Sequence, residues 1–226
     1  MVYANVCRRE RPRQESPGLT ANPVGVSTGR LEAFSDGVIA VAITLLVLNI
    51  DLPHLSPGES LGRGLAAQWP VYAAYVTSFL TIGIIWINHH VMIGRLRQAD
   101  RSILFLNLLL LMSIAVLPFA TRLMAAYLKQ SHGQHLAAAV YSGAFLVMAV
   151  FFASLNAHIL LVKHVHLRQQ LPLEQRRLIL SRSITGLIPY AIATALAPLS
   201  PYATLAICFG LAFFYALPIG SGGAVG

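Results

Sequence analysis

Apolar residues recur along the chain in blocks of about twenty, separated by short polar stretches rich in Arg, Pro, Ser and His. An α-helix rises about 1.5 Å per residue, so roughly twenty residues cross a hydrocarbon core of about 30 Å. The blocks are continuous and lack the in–out alternation of barrel strands, so each is predicted to be a helix. Six spans are expected, over residues 31–50, 70–92, 102–124, 136–162, 178–197 and 201–218. The fold class is therefore an all-α integral membrane protein with six transmembrane helices per subunit. Pro118 and Pro189 are candidate kinks, because each removes a backbone donor and crowds the preceding turn. Spans five and six are joined by Ala197-Pro198-Leu199-Ser200-Pro201 and should form a tight hairpin.

Composition agrees with the pattern. The 226 residues are 56% hydrophobic and only 11% charged, where a soluble domain carries about 25% charged residues. Residues 1–29 are polar and basic, and the apolar run after them is too long for a secretory signal. They are expected to form a disordered cytoplasmic arm, with 30–219 as the six-helix transmembrane domain and 220–226 as a flexible tail. The two cysteines, Cys7 and Cys208, provide no disulfide framework and no metal-ligand spacing.

The net charge of +8 resembles a nucleic-acid signature until its distribution is traced. With both termini on one side, thirteen of the sixteen basic residues fall on that side, and only Arg63, Arg122 and Lys129 fall on the other. That asymmetry places both termini in the cytoplasm. It also explains the charge through anionic lipid headgroups, with no nucleic-acid partner.

Polar groups at depth carry the functional signal, because an ionisable side chain inside a bilayer is costly and normally faces protein or water. Two clusters stand out. Phe34-Ser35-Asp36 lies near the start of span one, preceded by Arg30, and Trp86-Ile87-Asn88-His89-His90 lies near the end of span two. Both fall toward the cytoplasmic end and are expected at similar depth. Asp36 reads either as a satisfied structural carboxylate or as a cation-binding or proton-relay group. His89 and His90 share that ambiguity, and as adjacent helical residues they project about 100° apart, which argues against one metal centre served by both. His158, His164 and His166 are expected at an interface, and His132 and His135 in an external loop.

Val41, Thr44, Leu45 and Leu48 recur at i, i+3, i+4 and i+7, forming one stripe on span one. Asp36 and Val41 are separated by about 140° around that helix. If Asp36 faces span two within its own subunit, the stripe must face lipid or a symmetry axis.

The stretch from Arg30 through Phe34-Ser35-Asp36 to Thr44 and Leu48 closely resembles the first-helix signature of the transmembrane protein 175 family. These are endosomal and lysosomal potassium channels and their single-repeat prokaryotic relatives. The Trp86…Asn88-His89-His90 cluster resembles that family's second-helix motif. The resemblance implies a homotetramer whose first helices line a central pore in a prokaryotic plasma membrane. It further implies constrictions at Val41, Leu45 and Leu48, and a ring of Thr44 hydroxyls. Arg30, Phe34, Ser35, Asp36, Trp86, Asn88, His89 and His90 would form a polar network that sets the position of the first helix. Val41 departs from the Ile or Leu usual at the innermost constriction.

The reading is a leak-type potassium channel that prefers potassium over sodium. Potassium is the permeant ion, held only transiently in the pore, and no cofactor or resident metal is expected. The sequence has no Thr-Val-Gly-Tyr-Gly filter and no Arg ladder of a voltage sensor. A proton-coupled transporter or proton-permeable pathway using Asp36 and His89 or His90 is the alternative, though no inverted repeat appears. An enzyme would need a nucleophile or metal set, and no His-Glu-x-x-His or Gly-x-Ser-x-Gly motif is present.

Overall fold

A computed structural model of the chain describes residues 27–55 and 57–217. Residues 1–26 of the expected arm and the whole 220–226 tail lie outside the described residues. The first helix, α1, runs Thr28–Leu45 and continues through a 3₁₀ turn, Leu46–Asn49. A short helix, α2 (Leu61–Ala67), leads into α3 (Trp69–Gly94). Then follow α4 (Arg101–Tyr127) and α5 (Gln134–Ala157), the latter extended by a wider π turn, His158–Val162. The chain ends in α6 (Leu173–Thr185), α7 (Leu187–Leu196) and α8 (Pro201–Ala216).

Five helical stretches are long and apolar enough to cross a membrane, counting α6 and α7 as one unit. The sixth expected span is present as α8, but its 16 residues extend only about 24 Å. Leu196 ends α7 and Pro201 begins α8, with Ser200 capping α8 through the Ala203 N–H at 3.2 Å. The two helices pack together as the expected hairpin, and Thr204 Oγ1 donates across it to the Ala193 carbonyl at 3.1 Å.

The two prolines act differently. Helix α4 continues unbroken through Pro118, whose carbonyl accepts from Asn49 Nδ2 at 3.1 Å. The fifth span instead breaks at Gly186, between α6 and α7. Pro189 has no N–H to return to the Thr185 carbonyl, and its ring crowds that carbonyl. The interruption therefore falls one residue after Thr185.

Helix α4 occupies the middle of the subunit, against α1, α3 and α5, while α8 closes the far side against α3, α5 and α7. Leu110, Ile114, Leu117, Tyr141 and Phe145 are fully buried there. Buried hydroxyls in this core satisfy one another: Ser78 Oγ lies 2.8 Å from Thr121 Oγ1 and 3.2 Å from the Tyr141 hydroxyl. No strand forms among the described residues, but the α3–α4 and α5–α6 connections meet in one antiparallel bridge, Leu96 with Leu167. Arg97 N–H donates to the His166 carbonyl and Arg168 N–H to the Arg95 carbonyl, each at 2.8 Å. An ion pair between Lys163 and Asp100, at 2.7 Å, ties the same two connections. These contacts hold the end of α3 and the start of α4 in register, which sets the geometry of the site below.

Candidate functional site

Helix α1 carries two faces of different character. Leu31, Ser35, Ile39, Ala42 and Leu46 are buried against α3 and α4. On the other side Val41, Leu45 and Leu48 are 58%, 43% and 68% exposed, and Thr44 is exposed beside them. Phe34 lies on this open side as well. A groove between α1 and α4, lined by Phe34, Gly37, Val41, Ala42, Leu45 and Ala115, runs along the stripe. Among the described residues of one copy this apolar helical face has no protein partner, and it is open to a bilayer or another copy.

Thr44 is not idle on that face. Its hydroxyl donates to the Val41 carbonyl of its own helix at 2.9 Å. The bond satisfies the donor, so the hydroxyl by itself does not decide between a lipid-facing and a protein-facing position. With its proton on that carbonyl, the hydroxyl oxygen keeps lone pairs able to accept.

The buried side of α1 meets a polar junction with α3 and α4. Trp86 Nε1 donates to Asp36 Oδ1 at 2.9 Å. Ser35 Oγ donates to the Leu31 carbonyl at 2.8 Å and accepts from Asn107 Nδ2 at 2.9 Å. Because the Asn107 amide nitrogen faces Ser35, its oxygen faces His89 Nε2 at 2.8 Å. His89 is fully buried, and this partner selects the tautomer with its proton on Nε2. Its Nδ1 is buried without a partner. His90 Nδ1 lies 2.7 Å from Glu32 Oε1 and completes the contacts between α1 and α3.

The two sequence clusters therefore meet, but not every member joins. Asn88 returns its amide to the Ile84 carbonyl of its own helix at 2.9 Å and faces outward. The Arg30 side chain is exposed and makes no hydrogen bond or ion pair with the described residues; only its backbone N–H is engaged, with the Ser27 carbonyl at 3.1 Å. Phe34 points to the open face, away from the junction. Two members were not named from sequence. Asn107 is a lone amide inside the apolar run of α4, and Glu32 stands one turn before Asp36. Both carried a signal, since each is a polar residue in or beside a span. His158, expected at an interface, has its Nε2 buried without a partner in the π turn.

The sequence model of the endosomal/lysosomal potassium channel TMEM175 matches residues 30–118, which hold most of α1, the junction and most of α4. A potassium channel of Streptomyces collinus is 43% identical over 188 residues, spanning 83% of this chain and 91% of that protein. The chain belongs to the TMEM175 family. A second relative in the TMEM175 family, a potassium channel of Chamaesiphon minutus, is 38% identical over 197 residues, 86% of this chain and 96% of its own length. The crystal structure of a lysosomal potassium-selective channel TMEM175 homologue from Chamaesiphon minutus superimposes with a TM-score of 0.75 at 37% identity. It covers 87% of this chain and 98% of that one. Mouse TMEM175, an endosomal/lysosomal proton channel, is 34% identical over 137 residues, and only 27% of its length is matched. TMEM175 proteins are ion channels, not enzymes, and this multi-pass membrane chain is one of them.

Proposed function

We propose that the chain is a leak-type potassium channel, built as a homotetramer with α1 of each copy at the axis. The observation that carries this reading is the uncovered stripe of Val41, Thr44, Leu45 and Leu48, on the side of α1 away from the Asp36 junction. A family of ion channels needs a conduction path, and this face is available for one. Four apolar side chains in a ring strip water from an ion and return little, so such a neck closes by dewetting and opens by widening slightly. Potassium holds its hydration shell less tightly than sodium and crosses at lower cost. The lone pairs of Thr44 return part of the lost hydration.

In this reading Arg30, Phe34, Ser35, Asp36, Trp86, Asn88, His89 and His90 belong to the structural region that positions α1, and the contacts among Ser35, Asp36, Trp86, His89 and His90 do that work. Both termini lie in the cytoplasm, by the charge asymmetry. The proton-relay alternative draws on Asp36 and His89 or His90, which are engaged with Trp86, Asn107 and Glu32 respectively on the side of α1 away from the stripe. The deciding experiment is a planar-bilayer recording of purified protein with potassium on one side and sodium on the other. A current that reverses near the potassium equilibrium potential and does not saturate with driving force supports the channel. Saturating transport, or a reversal that follows the proton gradient, supports the alternative.

A further inference from the structure

Next to the junction, α1 and α3 bring together a set of donors that the pore reading does not use. Glu32 and Asp36 stand one turn apart on α1, so both carboxylates lie on one face. His90 of α3 meets them, and one donor atom from each of the three residues lies within 4.8 Å of the others. Among the described residues no other three His, Cys, Asp or Glu side chains come together in this way.

We propose that Glu32, Asp36 and His90 form a binding site for a divalent cation of the zinc class, clasping α1 to α3. One imidazole with two carboxylates suits a borderline metal, whereas magnesium and calcium favour all-oxygen sites. Zinc binds nitrogen and oxygen at about 2.0–2.2 Å, which places tetrahedral ligands about 3.4 Å apart. The separations present, 2.7 Å for His90 to Glu32 and up to 4.8 Å for the set, bracket that spacing.

The donors are also oriented. Trp86 holds Asp36 Oδ1, and Oδ2 takes no hydrogen bond from the described residues; such an outer contact aims a ligand carboxylate. His90 and Glu32 are 58% and 27% exposed, so the cation has an entry path and water supplies the fourth ligand.

Binding does not depend on the pore assignment and is tested apart from flux. Zinc chloride is titrated calorimetrically into the full chain in detergent at neutral pH, and the unfolding temperature is read with and without the metal. The expected result is one saturable site per chain. Glu32→Gln and His90→Gln should each weaken it at least tenfold, His132→Gln at the opposite end of α4 should leave it unchanged, and excess magnesium should not compete. Zinc should raise the unfolding temperature of the unmodified chain and not that of His90→Gln. No saturable binding, or equal affinity in the unmodified chain and both site variants, overturns the proposal.

Discussion

The indole of Trp86 donates to the carboxylate of Asp36 across 2.9 Å, and so ties α3 to the side of α1 that faces away from Val41. One hydrogen bond on one face of a helix thereby fixes which other face is left uncovered in a single copy. Rotation of α1 by even a fraction of a turn would stretch this bond and turn Val41, Leu45 and Leu48 out of line together. The junction and the stripe are thus mechanically coupled through one rigid helix.

Trp86→Phe keeps most of the ring but removes the donor to Asp36. Hydrogen bonds between helices in membranes contribute about 0.6–1.7 kcal/mol, and a carboxylate acceptor belongs at the upper end. The variant should unfold at lower temperature in detergent and show altered open probability, while its preference for potassium over sodium is kept. Single-channel recording separates these effects. Lost selectivity with an unchanged open probability would make Asp36 an ion ligand.

Asn107 serves two partners from a fully buried position, Ser35 and His89. Asn107→Leu matches its size but strands the Nε2 proton of His89 beside an Nδ1 that already lacks a partner. Stranding a buried donor costs roughly 1–3 kcal/mol. Adding His89→Leu removes the stranded group, so the double variant should recover part of the loss. A double-mutant cycle on thermal unfolding checks the sign: simple additivity of the two losses would count against the Asn107–His89 hydrogen bond as the source of the cost.

Much of this was legible in the chain. Span positions followed from the apolar blocks, and the meeting of Asp36 with Trp86 followed from polar residues at equal depth. Other features depended on rotation and packing, which hydropathy does not encode. Asn88 and His89 are neighbours, yet a 100° step sends one outward and the other into the core. Asn107 was readable in principle as a lone amide within α4, but its partners lie 18 and 72 residues away. The break at Gly186 follows from Pro189 acting on the carbonyl four residues earlier, so a proline marks the disturbed turn and not its own position. The bridge between Leu96 and Leu167 joins two loops that carry no pattern at all.

Asp100 links that bridge to α4, and its pKa is lowered from the ordinary 3.8. Partial burial works against the carboxylate, but the Lys163 ammonium and the Ile103 N–H outweigh it. A depressed folded value means stability that is present above the ordinary carboxylate range and lost as pH falls through the lower folded value. Asp100→Asn keeps a good helix cap and removes only the charge. At neutral pH it should lower stability by at most about 1 kcal/mol, since the pair is partly exposed. Thermal scans of the two proteins should converge as pH drops below 3.8; a gap that widened in acid would reverse the assignment.

Cysteines placed singly at Leu45 or Leu48, with Cys7 and Cys208 replaced, should cross-link between copies under mild oxidation. A cysteine at Ile39, which is buried against the subunit's own helices, should not. Gel mobility reads the outcome. Efficient cross-linking from Ile39 in place of the stripe would exchange the two faces of α1.

Side-chain size at Val41 should control potassium flux if that ring is a constriction, because a dewetting barrier steepens as an apolar neck narrows. The measurement is potassium flux into liposomes holding equal amounts of assembled Val41→Ile, Val41→Ala, Val41→Ser and unmodified protein. Val147 on α5 is also an exposed valine and provides the control, Val147→Ala. Flux should rise in the order Ile, Val, Ala, Ser at position 41, with Val147→Ala matching the unmodified chain. An order indifferent to size and polarity at position 41 would mean that the ion passes elsewhere and that the stripe on α1 is not the pore.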